Sequence, residues 1–156
     1  MGRNGKVTTS DLDNFRKHVE SNLGSRQVEE FIDSCAKELA ARLLAKVIKR
    51  TPVGQYPKSS GKKGGTLRRG WTGEQAQNAS AYAESLAVHH FGNVYVIEIV
   101  NPVVYAPYVE YGHRTRNHDG WVEGKFMLTI SSQEIEKDAP RILQNKLKKK
   151  LGEVFK

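Results

Sequence analysis

A chain of 156 residues, 38% hydrophobic and 27% charged, is long enough to close one core, and no apolar run approaches the ~18–20 residues that span a bilayer. Its net charge of +8 admits polyanions or acidic proteins as partners, and a lone cysteine, Cys35, excludes an internal disulfide and suits a reducing compartment. The opening "MGRNGKVTTSDLD" has neither an apolar core behind its charges nor a hydroxyl residue at the sixth position, so no secretory leader or myristoyl anchor is expected and cytoplasmic synthesis is the default.

Residues 8–23 predict a first helix, with Ser10 as N-cap, Asp11 and Asp13 in the first turn, and Leu12, Phe15, Val19 and Leu23 on one stripe. Gly24 ends it, and Ser25 is placed to cap the next. That second helix, running to Arg50, is the clearest element: Val28, Phe31, Ile32, Cys35, Leu39, Leu43, Val47 and Ile48 recur at helical period. Lys49 and Arg50 suit its C-terminus, and Pro52 prevents continuation. Cys35 lies on the buried stripe and reads as a small core residue.

Residues 54–66 have glycine, proline, serine and lysine but almost nothing to bury, and predict a long mobile loop. "GKKGGT" does not match the GxxxxGK[ST] phosphate loop. Residues 67–72 are read as the start of a strand. "ESLAVHHF" (84–91) and "VYVIEIVN" (94–101) flank Gly92–Asn93 and predict a hairpin, with Tyr95, Ile97 and Ile99 facing inward. "YAPYVEYG" predicts a short helical turn closed by Gly112, with Tyr105 and Val109 plugging the sheet edge. Phe126, Met127, Ile130 and Ile135 then begin a stripe. Pro140 is placed at the first turn of a fresh helix capped by Asp138, carrying Ile142, Leu143, Leu147, Leu151 and Val154 inward. With no internal repeat, the order gives one α+β domain over residues 1–156: a small antiparallel β-sheet (a meander) packed against the long helix of the N-terminal half and a C-terminal helix.

Charge is unevenly placed. Residues 70–112 hold four glutamates and no lysine or arginine; residues 49–69 hold seven basic residues and no acid; residues 137–156 hold seven basic residues against Asp138 and Glu153. Basic clusters serve as solvated faces or as contacts for polyanions, and no nucleic-acid motif accompanies these.

The stretch "NPVVYAPYVEYGHRTRNHDGWVEG" (101–124) packs three tyrosines, a tryptophan, two histidines and two arginines together. Metal binding is not expected, since no histidine pair has i,i+4 spacing and His89–His90 on a strand point to opposite faces. Catalysis is not expected either: there is no GxSxG, no cysteine with a base, and Glu110 near His113 reads as an ion pair or hydrogen bond. Tyrosine, tryptophan and arginine are the residues that anchor interfaces. Tyr108, Glu110, Tyr111, Arg114, Arg116 and Trp121 are therefore the interface candidates, and Lys58, Lys62, Lys63, Arg68 and Arg69 a basic set for DNA or a partner.

The ordered set "TPVG…GGTLRRGW", "VIEIVNPVVYAPYVE", "VEYGHRTR" and "GWVEGKFML" resembles the tail-component family of tailed bacteriophages and prophages, over about residues 25–155. The stretch "GQYPKSSGKKGG" is longer than the compact Asp-Thr-Gly of many members. The resemblance implies a non-enzymatic virion protein of the neck or tail, a tail-completion or head–tail joining factor without cofactors. It further implies a self-assembled ring, commonly of six, against neck, connector or tail-tube proteins, with no membrane role. By matching position, residues 108–112 form the family's hallmark turn, and Leu67, Arg68 and Arg69 its post-loop strand. Opposed charge regions suit a head-to-tail ring, whose basic loop would face passing DNA. The alternative is a nucleic-acid-binding protein that clamps phosphates with residues 49–69 and the C-terminal lysines. Against it, only Tyr56 among the aromatics lies within the basic loop.

Overall fold

The computed structural model describes residues 13, 16–17, 24–74 and 78–154. Asp13, Arg16 and Lys17 are helical, and the remainder of the expected first helix lies outside the described residues. The elements in order are α1 (Ser25–Arg50), a 3-10 turn (Lys58–Ser60), α2 (Thr66–Gly70), α3 (Ala79–Ser85), β1 (His89–Phe91), β2 (Val94–Val96), α4 (Ala106–Tyr111), β3 (Gly112–Arg114), β4 (Trp121–Glu123) and α5 (Met127–Val154). The fold is α+β. Its strands form two separate antiparallel ribbons, β1–β2 and β3–β4, held against two long helices.

α1 forms where its apolar stripe demands. Val28, Phe31, Ile32, Cys35 and Leu39 are buried, and they meet Ile135, Ala139, Ile142 and Leu143 of α5 in one cluster. A second cluster joins Ala40, Leu44 and Val47 to Leu67, Trp71, Ala83, Ala106 and Met127. Each leucine or isoleucine here contributes ~2–5 kcal/mol by the cost of its truncation to alanine. The helix N-cap is Gly24 and has no side-chain bond, so Ser25 begins the helix and does not cap it. Polar ties reinforce the α1–α5 contact: Glu134 accepts from Lys46 at 2.8 Å and Arg50 at 2.7 Å, and Lys146 donates to Glu38 at 2.9 Å.

Three expectations change. Residues 67–72 are the helix α2 and a following turn, because Leu67 and Trp71, four apart, both turn inward. The Trp71 indole donates to Thr51 Oγ1 at 2.8 Å, that hydroxyl donates to the Val47 carbonyl, and Arg68 donates to the Thr51 carbonyl at 2.7 Å. These contacts fix α2 across the end of α1, where a strand would have no partner. Residues 84 and 85 close helix α3, whose N-cap Asn78 accepts from the Ala81 N–H at 2.8 Å, so the first ribbon strand is only His89–Phe91. Finally, Pro140 lies inside α5, which runs unbroken for 28 residues. Ile135, Ala139, Ile142 and Leu143 are buried on both sides of the proline, and this packing carries the helix past the one hydrogen bond it forgoes.

Candidate functional site

The aromatic segment folds as a short helix and a ribbon joined back to back. In α4, Ala106 and Glu110, four apart, turn inward, which leaves Tyr105, Tyr108 and Tyr111 at 46%, 57% and 45% exposure. Gly112 then turns the chain at φ 85°, in the region that favours glycine, and begins β3. A Cβ at Gly112 would overlap the Val122 carbonyl, and one at Gly124 would overlap the Glu110 carbonyl. Two glycines thus let the ribbon base press against the end of α4. Backbone bonds complete the join: Lys125 N–H to the Val109 carbonyl at 2.8 Å and Phe126 N–H to the Glu110 carbonyl at 3.0 Å.

Glu110, expected at an interface, turns into its own subunit. It is 6% exposed, and its carboxylate accepts from the Leu128 N–H at 2.9 Å and from the Thr129 N–H and hydroxyl at 2.9 and 2.8 Å. The first turn of α5 carries unpaired N–H groups and a positive dipole end, and a carboxylate satisfies both. Glu110 is therefore the clasp between α4 and α5. Nor does it meet His113, whose ring lies 3.4 Å from the Tyr108 carbonyl and packs edge-on against Tyr108 at 6.0 Å.

Of the other interface candidates, Arg114 and Trp121 are brought together. Trp121 pairs with Arg114 across the ribbon and reaches over Gly112. It is 55% exposed, Val122 beside it is 43% exposed, and Tyr111 stacks edge-on with Phe126 at 6.5 Å. Phe126 was expected to begin the buried stripe of the last helix, yet it stands at φ 47° ahead of α5 and is 39% exposed, while Met127 takes the buried place. Tyr105 likewise does not plug a sheet edge: with Val53, Tyr56, Lys63 and Val109 it lines a shallow cleft of about 260 Å³. The segment "RTRNHDG" is an ordered turn, held by Thr115 N–H to the Gly120 carbonyl at 3.0 Å and Gly120 N–H to Thr115 Oγ1 at 3.0 Å. Arg114 and Arg116 are exposed there, with no ion pair among the described residues.

The basic set divides. Lys58, Lys62 and Lys63 are exposed, with Lys62 Nζ 5.9 Å from the centre of the Tyr56 ring. Arg68 is committed to the Thr51 carbonyl, so it is a structural residue and not a free cation; Arg69 is exposed and donates to the Gly64 carbonyl at 3.4 Å. Lys149 and Lys150 line a groove between α1 and α5 together with Glu30, Glu38 and Glu153.

Several other titratable groups have structural work. Burial pushes the Cys35 thiol up to about 12, with Lys146 opposing and Glu38 adding to the shift. Burial raises Glu38, but the hydrogen bonds from Lys146 and Arg42 outweigh it and leave the carboxyl below its usual range. Lys46 first and Arg50 second hold Glu134 below that range too. His90 pairs with Asp33 at 2.8 Å and tilts against Tyr95 at 4.5 Å. Among the described residues, no three histidine, cysteine or acidic side chains gather in a metal-sized cluster, and no helix is long and apolar enough to cross a membrane.

The sequence pattern of the HK97-gp10-like family, bacteriophage HK97-gp10 tail components, matches residues 13–112. The chain belongs to this family. The match begins ahead of α1 and ends on Gly112, the first residue of β3, so the rest of β3, β4 and α5 lie beyond it. Neither a curated protein nor a solved structure matches the chain. As a family member the protein is a phage tail component, and its place is in the virion.

Proposed function

We propose that this tail component is a non-enzymatic tail-completion or head–tail joining subunit, which assembles into a ring through the aromatic surface of α4 and the β3–β4 ribbon. The observation that carries the reading is that surface: Tyr108, Tyr111, Trp121, Val122 and Phe126 are each at least 39% exposed on consecutive elements. Large apolar side chains left exposed on neighbouring elements mark a place where another protein sits, because leaving them wet favours aggregation. Arg114 and Arg116 rim it with uncommitted guanidinium groups, suited to bidentate contact with a neighbour's carboxylates. The neighbours are further copies, commonly six in all, and neck, connector or tail-tube proteins. Residues 54–65, with Lys58, Lys62 and Lys63 outward, would face the lumen and the DNA that passes through it.

The test is genetic. A phage lacking the gene accumulates finished heads and tails that fail to join, and the wild-type gene supplied in trans restores joined particles. Unjoined particles that persist despite wild-type protein, or normal joining without the gene, would refute the assignment.

A further inference from the structure

Among the described residues Phe91 is the phenylalanine, tyrosine or tryptophan most exposed to solvent, at 66%. It stands at the tip of the β1–β2 hairpin, paired across the ribbon with Val94, itself 39% exposed. The next pair, His90 and Tyr95, turns to the other face, where His90 meets Asp33 of α1 and Tyr95 packs on the core. Gly92 turns the chain at φ 61°, and a Cβ there would meet nothing within 4 Å, so the tip stands clear of the subunit body. Phe91 makes no ring contact among the described residues and belongs to neither core cluster. Large apolar side chains held out on a ribbon tip gain by being covered.

We infer that Phe91 and Val94 dock into the cleft beside α4 of a second copy of this chain. That cleft, about 260 Å³, is lined by Val53, Tyr56, Leu67, Tyr105 and Val109, with Lys63 at its polar side. Sites for drug-sized molecules begin at roughly 300 Å³, so this one suits a single large side chain. Tyr56 and Tyr105, at 51% and 46% exposure, offer ring faces and edges to an incoming phenyl group. The tip cannot fill the cleft of its own subunit. Asp33, which holds His90, and Arg50, which ends α1 next to the cleft, lie roughly 25 Å apart along the helix. Local charge favours the pairing. The cleft draws mainly on residues 49–69, with seven basic residues and no acid, and the hairpin lies in residues 70–112, with four glutamates and no lysine or arginine. One cation does approach the tip: Arg16 donates to Asn93 Oδ1 at 2.6 Å. Tip and cleft are different surfaces at opposite ends of α1, so their contact is head-to-tail, the kind that closes rings. The cleft also adjoins the aromatic surface, since Tyr105 is the N-cap of α4 and Tyr108 lies three residues on. The inference rests on the proposed ring assembly and supplies the second surface that such a contact requires.

Sedimentation velocity and thermal melts of the full chain test it, with Phe91→Lys as the tip variant and Tyr105→Ala as the cleft variant. Both side chains are largely exposed, so each variant keeps its melting temperature while self-association weakens about tenfold or more. Mixing the two is the sharper measurement. One intact tip then meets one intact cleft, so an equimolar mixture forms dimers at a concentration where each variant alone is monomeric. If Tyr105→Ala lowers the melting temperature, Tyr56→Ala takes its place as the cleft variant. Unchanged association in Phe91→Lys, or a mixture that stays monomeric, overturns the tip-in-cleft contact and leaves the ring standing. Wild-type protein that stays monomeric at every concentration overturns both.

Discussion

Replacing Glu110 by alanine separates a clasp residue from an interface residue. The carboxylate holds two main-chain N–H groups and one hydroxyl at the start of α5, in a place where it is itself 6% exposed. Loss of a helix N-cap costs ~0.5–2 kcal/mol, and each donor stranded away from water costs ~1–3 kcal/mol. Water entering the vacated space offsets part of that sum, so Glu110→Ala should destabilise by about 3 kcal/mol. At ~2–4 °C per kcal/mol for a chain of this size, the melting temperature falls by roughly 6–12 °C. Glu110→Gln keeps one acceptor and should cost about 1 kcal/mol. Circular dichroism melts and urea titrations of both variants give the numbers. A loss below ~0.5 kcal/mol in the alanine variant, with self-association abolished, would refute the clasp and return Glu110 to the interface.

Three further outcomes follow from the same contacts. The carboxyl of Glu134 is held below its usual range by Lys46 and Arg50, so its contribution is full above the unfolded carboxylate range, about 4.3. It is lost as pH falls through the lower folded value. The stability gap between wild type and Glu134→Gln should therefore be constant near neutrality and close below about pH 4, and a gap that widens in acid would contradict the assigned partners. Cys35, fully buried with its thiol pushed up to about 12, should resist thiol reagents in native protein and react at once in denaturant; rapid native labelling would contradict its core placement. Brief trypsin treatment should cut at Lys58, Lys62 or Lys63 before Lys37 or Lys46, because the loop buries no side chain and α1 is packed; equal rates would mean that the loop is held rigid.

The long helices were legible because α1 and α5 repeat their apolar stripes over many turns, but Pro140 hid the continuity of α5, which reads in sequence as two helices. α2 was not, because five residues cannot show a period, and its conformation depends on Thr51, twenty positions before Trp71. α3 has a local signal in Asn78, a strong N-cap, before an alanine-rich stretch. The aromatic surface was visible in composition, which named Tyr108, Tyr111 and Trp121 but not Phe126, whose left-handed backbone follows from the ribbon's attachment to α4. Glu110 was named for the wrong reason. Its partners lie 18 and 19 residues onward, and no local pattern announces a cap supplied across such a distance.

The central claim is that the exposed aromatics serve assembly and not the core, and Trp121→Ala tests it most directly. At 55% exposure the indole contributes little to the isolated subunit, so the variant should melt close to wild type. As an interface anchor its loss should weaken self-association by ~2 kcal/mol or more, about thirtyfold in dissociation constant. Sedimentation of wild type and Trp121→Ala across a concentration series, beside their melts, reads both quantities on the same samples. A large fall in melting temperature with unchanged association would place Trp121 in the core's service and contradict the account.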